Sequence, residues 1–102
     1  MNPIRKHSIA QEASEKLGSL PNIGKVIAGK LRMIGIGTSA EFLKRDPYVV
    51  FHEVRRTVDP TLCRCALASI VGAKEGVAWH TITKAAAEEY ERRYPKTTWG
   101  KC

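Results

Sequence analysis

Leu17-Gly-Ser-Leu-Pro-Asn-Ile-Gly-Lys-Val-Ile-Ala-Gly-Lys-Leu31 is the stretch whose reading decides the fold. Gly18 ends one helix, and the tight turn Leu20-Pro-Asn-Ile-Gly24 leads straight into the next. The second helix is expected from about Gly24 to Met33, because Ile23, Ile27, Leu31 and Ile34 then fall on one face. Its first turn offers the backbone N–H groups of Gly24, Lys25 and Val26, and the positive end of the helix dipole lies behind them. Gly24 lets an anion approach without a side chain in the way, and Lys25 adds a cation beside it. Ala28, one turn later, is small enough for the preceding helix to come close. The competing reading is an ordinary αα-hairpin whose glycine serves only the turn.

Outward from this stretch, helix punctuation recurs while strand signals are missing: no run alternates with period two, and no Asn-Gly or Asp-Gly hairpin occurs. Ser8 and Gln11 form a capping box opening a helix to Gly18, and Thr38 and Glu41 form another opening a short helix through Lys44. Asp46-Pro47 and Asp59-Pro60 each set a capping carboxylate before a proline at the first helical position, predicting helices over 47–57 and 60–73. A last helix is expected from Trp79 to about Arg93, ending before Pro95. The expected architecture is therefore an all-α, compact bundle of about five to six short helices. Tyr48, Phe51 and Val54, at helical spacing, belong to its core, and Trp79 is expected there as an anchor.

The chain has 102 residues, 43% of them hydrophobic, and a mean hydropathy of −0.27, which suits one soluble domain. Residues 1–94 are read as that domain and 95–102 as a basic C-terminal tail, in which Trp99 is free to contact a partner. The longest nearly continuous apolar run, Cys65 to Ala73, is half of what a bilayer crossing needs, and the N-terminal MNPIRKHSIAQEASEK lacks the apolar run of a secretory signal. These features predict a cytoplasmic location and no membrane partner. Seventeen Lys and Arg against ten Asp and Glu give +7, spread as +4 over residues 1–51 and +3 over 52–102. Excess positive charge favours polyanions, because each neutralised phosphate releases a counterion. Arg55-Arg56 and Lys44-Arg45 suit helix ends, where cations complement the dipole, or touch flanking phosphates.

No metal or cofactor is expected. Cys63 and Cys65 point about 200° apart on a helix, and Cys102 is remote; a buried thiol, a surface thiol and a loose terminal one account for all three. No Ser-His-Asp spacing or nucleotide loop appears.

The turn resembles the helix-hairpin-helix motif, which reads apolar-Pro-Gly-Ile-Gly and continues with an alanine four residues after the last glycine. Pro21, Ile23, Gly24, Ala28 and Leu31 fit it, and Asn22 stands where the first hairpin glycine is usual. Asn tolerates the left-handed conformation better than most residues, so the turn survives the exchange. A longer series is similar to the C-terminal domain of TfoX-type competence regulators and to small proteins of mitomycin-resistance or pathogenicity-locus type. It runs through Asn22-Ile-Gly24, Leu31-Arg-Met-Ile-Gly-Ile-Gly-Thr38, Leu43, Ala66-Leu-Ala-Ser-Ile-Val-Gly-Ala73 and Gly76-Val-Ala-Trp79, and covers about residues 17–82.

The resemblance implies a SAM-like or helix-hairpin-helix fold and sequence-independent DNA binding, with Asn22, Ile23, Gly24, Lys25 and Val26 at the phosphates and Lys30 as a flanking cation. Some such hairpins also hold a monovalent cation. The TfoX N-terminal domain has no counterpart in these residues, so a role in competence is not carried over. Ile70-Val-Gly-Ala-Lys74 is either a degenerate second hairpin or a stretch whose Gly72, with Gly76, serves a packed turn before Trp79. Related glycosylases place a catalytic Asp about where Asp46 stands. Here Asp46 precedes a proline at a helix start, and the chain is too short to enclose an extruded base, so no catalysis is expected. Proteins are the alternative class of partner, since such folds also serve as interaction modules.

Overall fold

The computed structural model describes residues 16–100. A 3-10 turn, Leu17–Ser19, precedes helices α1 (Lys25–Met33), α2 (Ser39–Leu43), α3 (Pro47–Thr57) and α4 (Arg64–Glu75). A second 3-10 turn, Trp79–Thr81, leads into α5 (Thr83–Arg93). Among the described residues no strand forms, and no helix is long and apolar enough to cross a membrane. The chain is an all-α bundle, as its punctuation predicts. The helix expected from Ser8 lies outside the described residues except at its end, where Leu17–Ser19 is 3-10 rather than α.

Local side-chain chemistry places two of the helix starts. At α2 the Thr38 hydroxyl accepts from the Glu41 amide at 3.1 Å and Glu41 Oε1 accepts from the Thr38 amide at 3.2 Å, the reciprocal capping box. At α3 the Asp46 carboxylate accepts from the amides of Tyr48 (2.9 Å) and Val49 (3.4 Å), and Pro47 occupies the first helical position.

The helix expected from residue 60 starts at Arg64 instead. Asp59 turns its carboxylate onto the amide of Thr61 at 3.0 Å and onto the Thr61 hydroxyl, and its carbonyl accepts from Leu62, closing a local turn. That local bonding competes with helix and wins. α4 runs on to Glu75 and stops at Gly76, whose φ of 74° is the left-handed conformation of a helix C-terminus. The helix expected from Trp79 is interrupted at Ile82 and resumes as α5, ending before Pro95.

The core is centred on α4. Leu67, Ala68, Ile70, Val71, Gly72 and Ala73 are all buried, and α3, α5 and the Trp79–Thr81 turn close over them. Phe51 and Val54 are buried as expected, while Tyr48 is half-buried beneath the Arg93 guanidinium, 4.5 Å from its ring centroid. On α1, Ile23, Ala28 and Leu31 are buried, and Ile27 and Ile34 pack against the same cluster. Cys63 and Cys65 are both half-buried rather than one inside and one out, and Cys102 lies outside the described residues.

Both tryptophans depart from expectation. Trp79 is 38% exposed and not a core anchor, because Gly76 turns the chain out of α4 before it. Trp99 packs onto the core: its ring lies 5.4 Å from Tyr90 and 6.1 Å from Phe51, and its Nε1 donates to Glu91 at 2.6 Å. Pro95 cannot continue α5, and a turn from Tyr94 to Thr97 sends the segment back across the bundle. Residues 95–100 are thus held by aromatic contacts.

His52 lies on this aromatic layer. Its ring stacks flat on Tyr94 (3.9 Å, 9°), and its Nδ1 is 2.8 Å from the Tyr90 hydroxyl. Burial, then the nearby Arg56 and Arg55, hold its pKa below the usual 6.5. The unfolded chain therefore takes up a proton that the fold resists; this stability is present above the unfolded pKa and is lost as pH falls through the lower, folded one. The melting temperature is expected to fall as the pH is lowered from about 7 to about 5, and His52→Gln to flatten that part of the profile. Thermal melts across that range check it; an unchanged slope in the variant refutes the assignment.

Candidate functional site

The turn before α1 is built from both sides. Leu17 and Ile23 are buried, and the Ile23 amide donates to the Leu20 carbonyl at 3.4 Å, closing a four-residue turn. Pro21 takes the second position, and Asn22 the third with φ of 68°, the pattern of a type II turn. Asn22 is the one non-glycine residue with positive φ among the described residues.

Asn22 does more than tolerate that conformation. Its Nδ2 donates to the Val77 carbonyl at 2.8 Å, and its Oδ1 accepts from the Trp79 amide at 3.3 Å. Both halves of the side-chain amide are used, tying the turn to the loop that follows α4. The tie runs over Gly72, where a Cβ would come within 2.6 Å of both Asn22 Nδ2 and the Val77 carbonyl oxygen. Gly72 and Gly76 therefore serve the packed turn before Trp79. The segment 70–74 is interior to α4 and makes no second hairpin.

The start of α1 is left open. Gly24 is the N-cap, with no side-chain cap and no acidic residue in the first turn, as at α4 and α5, whereas α2 and α3 are capped by their own side chains. The Gly24 carbonyl accepts from Ala28 at 3.0 Å, and nothing among the described residues lies within 4 Å of where a Gly24 Cβ would stand. Lys25 and Val26 are exposed; Ile23 is buried and anchors the turn. A groove between the 3-10 turn and α1 is lined by Lys16, Lys25 and Arg32, together with Gly18, Gly24 and Ala28, and among the described residues by no carboxylate.

Lys30 is elsewhere. Its Nζ pairs with Asp59 Oδ2 at 3.1 Å, fastening α1 to the turn before α4. The Asp59 carboxyl is held down to about 2 by the Thr61 hydroxyl and amide and then by Lys30. The residues predicted for the site thus divide: Asn22, Ile23, Gly24, Lys25 and Val26 share one turn, whereas Lys30 makes an ion pair outside it. Lys16 and Arg32 join the groove without having been singled out. Arg32 was legible, seven residues from Lys25 and on the same helical face. Nothing local marks Lys16 or the contact with Trp79.

An all-helical bundle with a cationic, uncapped helix start is the class that the fold and this turn define. The chain belongs to the pathogenicity-locus family, Cdd1, whose profile matches residues 10–85. It is similar to an uncharacterized protein from Listeria monocytogenes, known from a triclinic crystal form, with 27% identity and a TM-score of 0.66 over 76% of this chain and 92% of that one. No curated protein matches it.

The Asn22–Gly72 contact makes a sharp expectation. Gly→Ala inside a helix ordinarily stabilises by about 1 kcal/mol, but Gly72→Ala drives a methyl into a backbone carbonyl and is expected to destabilise by about 2 kcal/mol or more. Asn22→Ala is expected to cost about 2 kcal/mol, from strain at positive φ and two lost hydrogen bonds, and Asn22→Gly about half as much. Denaturant melts give the order; an Asn22→Gly variant as unstable as Asn22→Ala contradicts it.

Proposed function

We propose that the chain is a non-catalytic, sequence-independent DNA-binding domain that grips backbone phosphates through a helix-hairpin-helix turn from Pro21 to Lys25. The observation that carries this is the start of α1: amides with no side-chain cap, a glycine whose Cβ position meets nothing among the described residues, and Lys16, Lys25 and Arg32 lining one groove with no carboxylate among the described residues. Phosphate oxygens suit such a place, since the amides donate, the dipole is positive at that end, and the cations release counterions. Asn22, Gly24, Lys25 and Val26 present the backbone, while Ile23, its amide spent on the Leu20 carbonyl, anchors the turn from inside. Asn22 has its side chain engaged on the core side, so its contribution to the ligand is rigidity and main chain.

A second reading, a protein-interaction module within a DNA-processing or regulatory complex, draws on a different observation. Val26 and Met33 are 69% and 73% exposed, seven residues apart on α1, with Gly29 between them. That apolar face suits a protein partner, and its binding would respond little to salt.

Affinity for a short duplex is expected to fall steeply between about 50 and 200 mM salt. Lys25→Glu should lower it about tenfold, or ~1.4 kcal/mol, with the melting temperature nearly unchanged, since an acid in a first helical turn suits the dipole. Lys84→Glu on α5 makes the same change in net charge and should cost much less. Anisotropy titrations decide: equal losses mean diffuse charge and refute the turn, and no loss in either favours the interaction module.

Amides that meet phosphates read no base edges. Scrambled duplexes of one length should therefore bind within a few-fold of one another. A preference above about a thousandfold, the mark of specific readers, excludes this mechanism.

A further inference from the structure

A second groove, sharing no lining residue with the first, runs between the C-terminal half of α3 and the segment that follows α5. Its wall is aromatic and flat, formed by Tyr94 stacked on His52, with Pro60 and Pro95 beside it. Arg55, Arg56, Arg93 and Lys96 line it, and among the described residues no carboxylate does. Two of these cations are engaged: Arg55 donates to the Thr98 carbonyl and lies over the Trp99 ring, and Arg93 pairs with Asp46 and Glu89. Arg56 and Lys96 are exposed and make no ion pair among the described residues. The reversal at Pro95, with Trp99 packed on the core, brings Lys96 into one groove with Arg56 although forty positions separate them in the chain.

We infer that this groove binds single-stranded nucleic acid, one base lying against the Tyr94–Pro95 wall and the adjoining phosphates on Arg56 and Lys96. The chemistry selects that occupant. An acidic peptide matches the cationic rim but has no flat apolar group for the wall. A duplex presents phosphates but keeps its base faces stacked and out of reach. A free nucleotide needs most of its surface enclosed, which an open groove does not offer, whereas a strand needs one stacked face and a cationic track. Burial, then the nearby Arg56 and Arg55, disfavours a charge on His52, the ring on which Tyr94 is stacked. This inference does not rest on the α1 turn.

The test uses the full chain and a labelled single-stranded 15-mer, with its blunt duplex, a mononucleotide and polyglutamate as competitors. The double variant Arg56→Glu/Lys96→Glu should lose about tenfold or more in single-strand affinity. Tyr94→Leu, which keeps an apolar side chain but removes the ring, should lose several-fold for the single strand and less than about twofold for the duplex. Polyglutamate at equal charge and the mononucleotide at equal base concentration should compete poorly. Backbone amide shifts in the unmodified protein supply a readout independent of variant folding, and should move at Arg56, Tyr94 and Lys96 on adding the 15-mer.

Losses confined to Lys25→Glu overturn the groove and leave the α1 turn standing; losses confined to the groove variants do the reverse. Equal loss in Lys84→Glu overturns the inference as diffuse charge, and efficient competition by polyglutamate or the mononucleotide overturns it as well. So do amide shifts that cluster elsewhere.

Discussion

From Leu67 to Ala73, α4 has no polar face. Five of those seven residues are apolar and one is glycine, and the hydroxyl of the remaining one, Ser69, is spent on the Cys65 carbonyl at 3.0 Å. A helix of that kind has to be covered on every side, and the remaining elements are arranged as its covering: α3 and α5 along its length, and the Trp79–Thr81 turn over its end. At Gly72 the covering comes as near as a backbone allows, with the Val77 carbonyl and the Trp79 Cα over a position that has no side chain. The Asn22 amide closes this seam by bonding to the same loop. The turn before α1 is thereby referenced to the core through two polar bonds as well as through Leu17 and Ile23.

That anchoring separates fold from surface chemistry. The strained position and the hydrogen-bonding side chain of the turn face inward, while Gly24, Lys25 and Val26 face solvent. Charge is divided in the same way. Lys30 and Asp59 hold α1 to the turn before α4, and Arg93, Asp46 and Glu89 fasten the end of α5 to the start of α3. Exposed pairs of this type contribute little stability individually, but they withdraw particular cations from the surface field. Of the cations that make no ion pair among the described residues, Lys16, Lys25 and Arg32 line the groove at the start of α1, and Arg56 and Lys96 the groove beside Tyr94.

Much of the architecture was legible because short-range chemistry governs helix ends. Thr38 with Glu41, Asp46 with Pro47, and Pro95 act over three or four residues, and each placed its boundary. Asp59-Pro60 carries the same signature as Asp46-Pro47 and behaves differently: Thr61 supplies both an amide and a hydroxyl to Asp59, and Lys30, from another helix, takes the second carboxylate oxygen. The pattern of residues was the same; the partners were not. In the turn, the positive φ of Asn22 follows from its place after Pro21, and the exposed start of α1 follows from Gly24 as an N-cap without a side chain.

The sequence by itself therefore determined that the chain is helical, where most helices begin and end, which faces of α1 and α3 turn inward, and that Gly24 and Lys25 stand at an open helix start. Each depends on neighbours within about one helical turn, where periodicity and capping act. Only the tertiary structure decided that Asn22 reaches Val77 and Trp79, that Trp79 is exposed while Trp99 packs onto the core, that Lys30 pairs with Asp59, and that Lys96 lines one groove with Arg56. Each of those contacts joins residues far apart in the chain, and they form because covering α4 brings its neighbours together, a condition that no local window of residues contains.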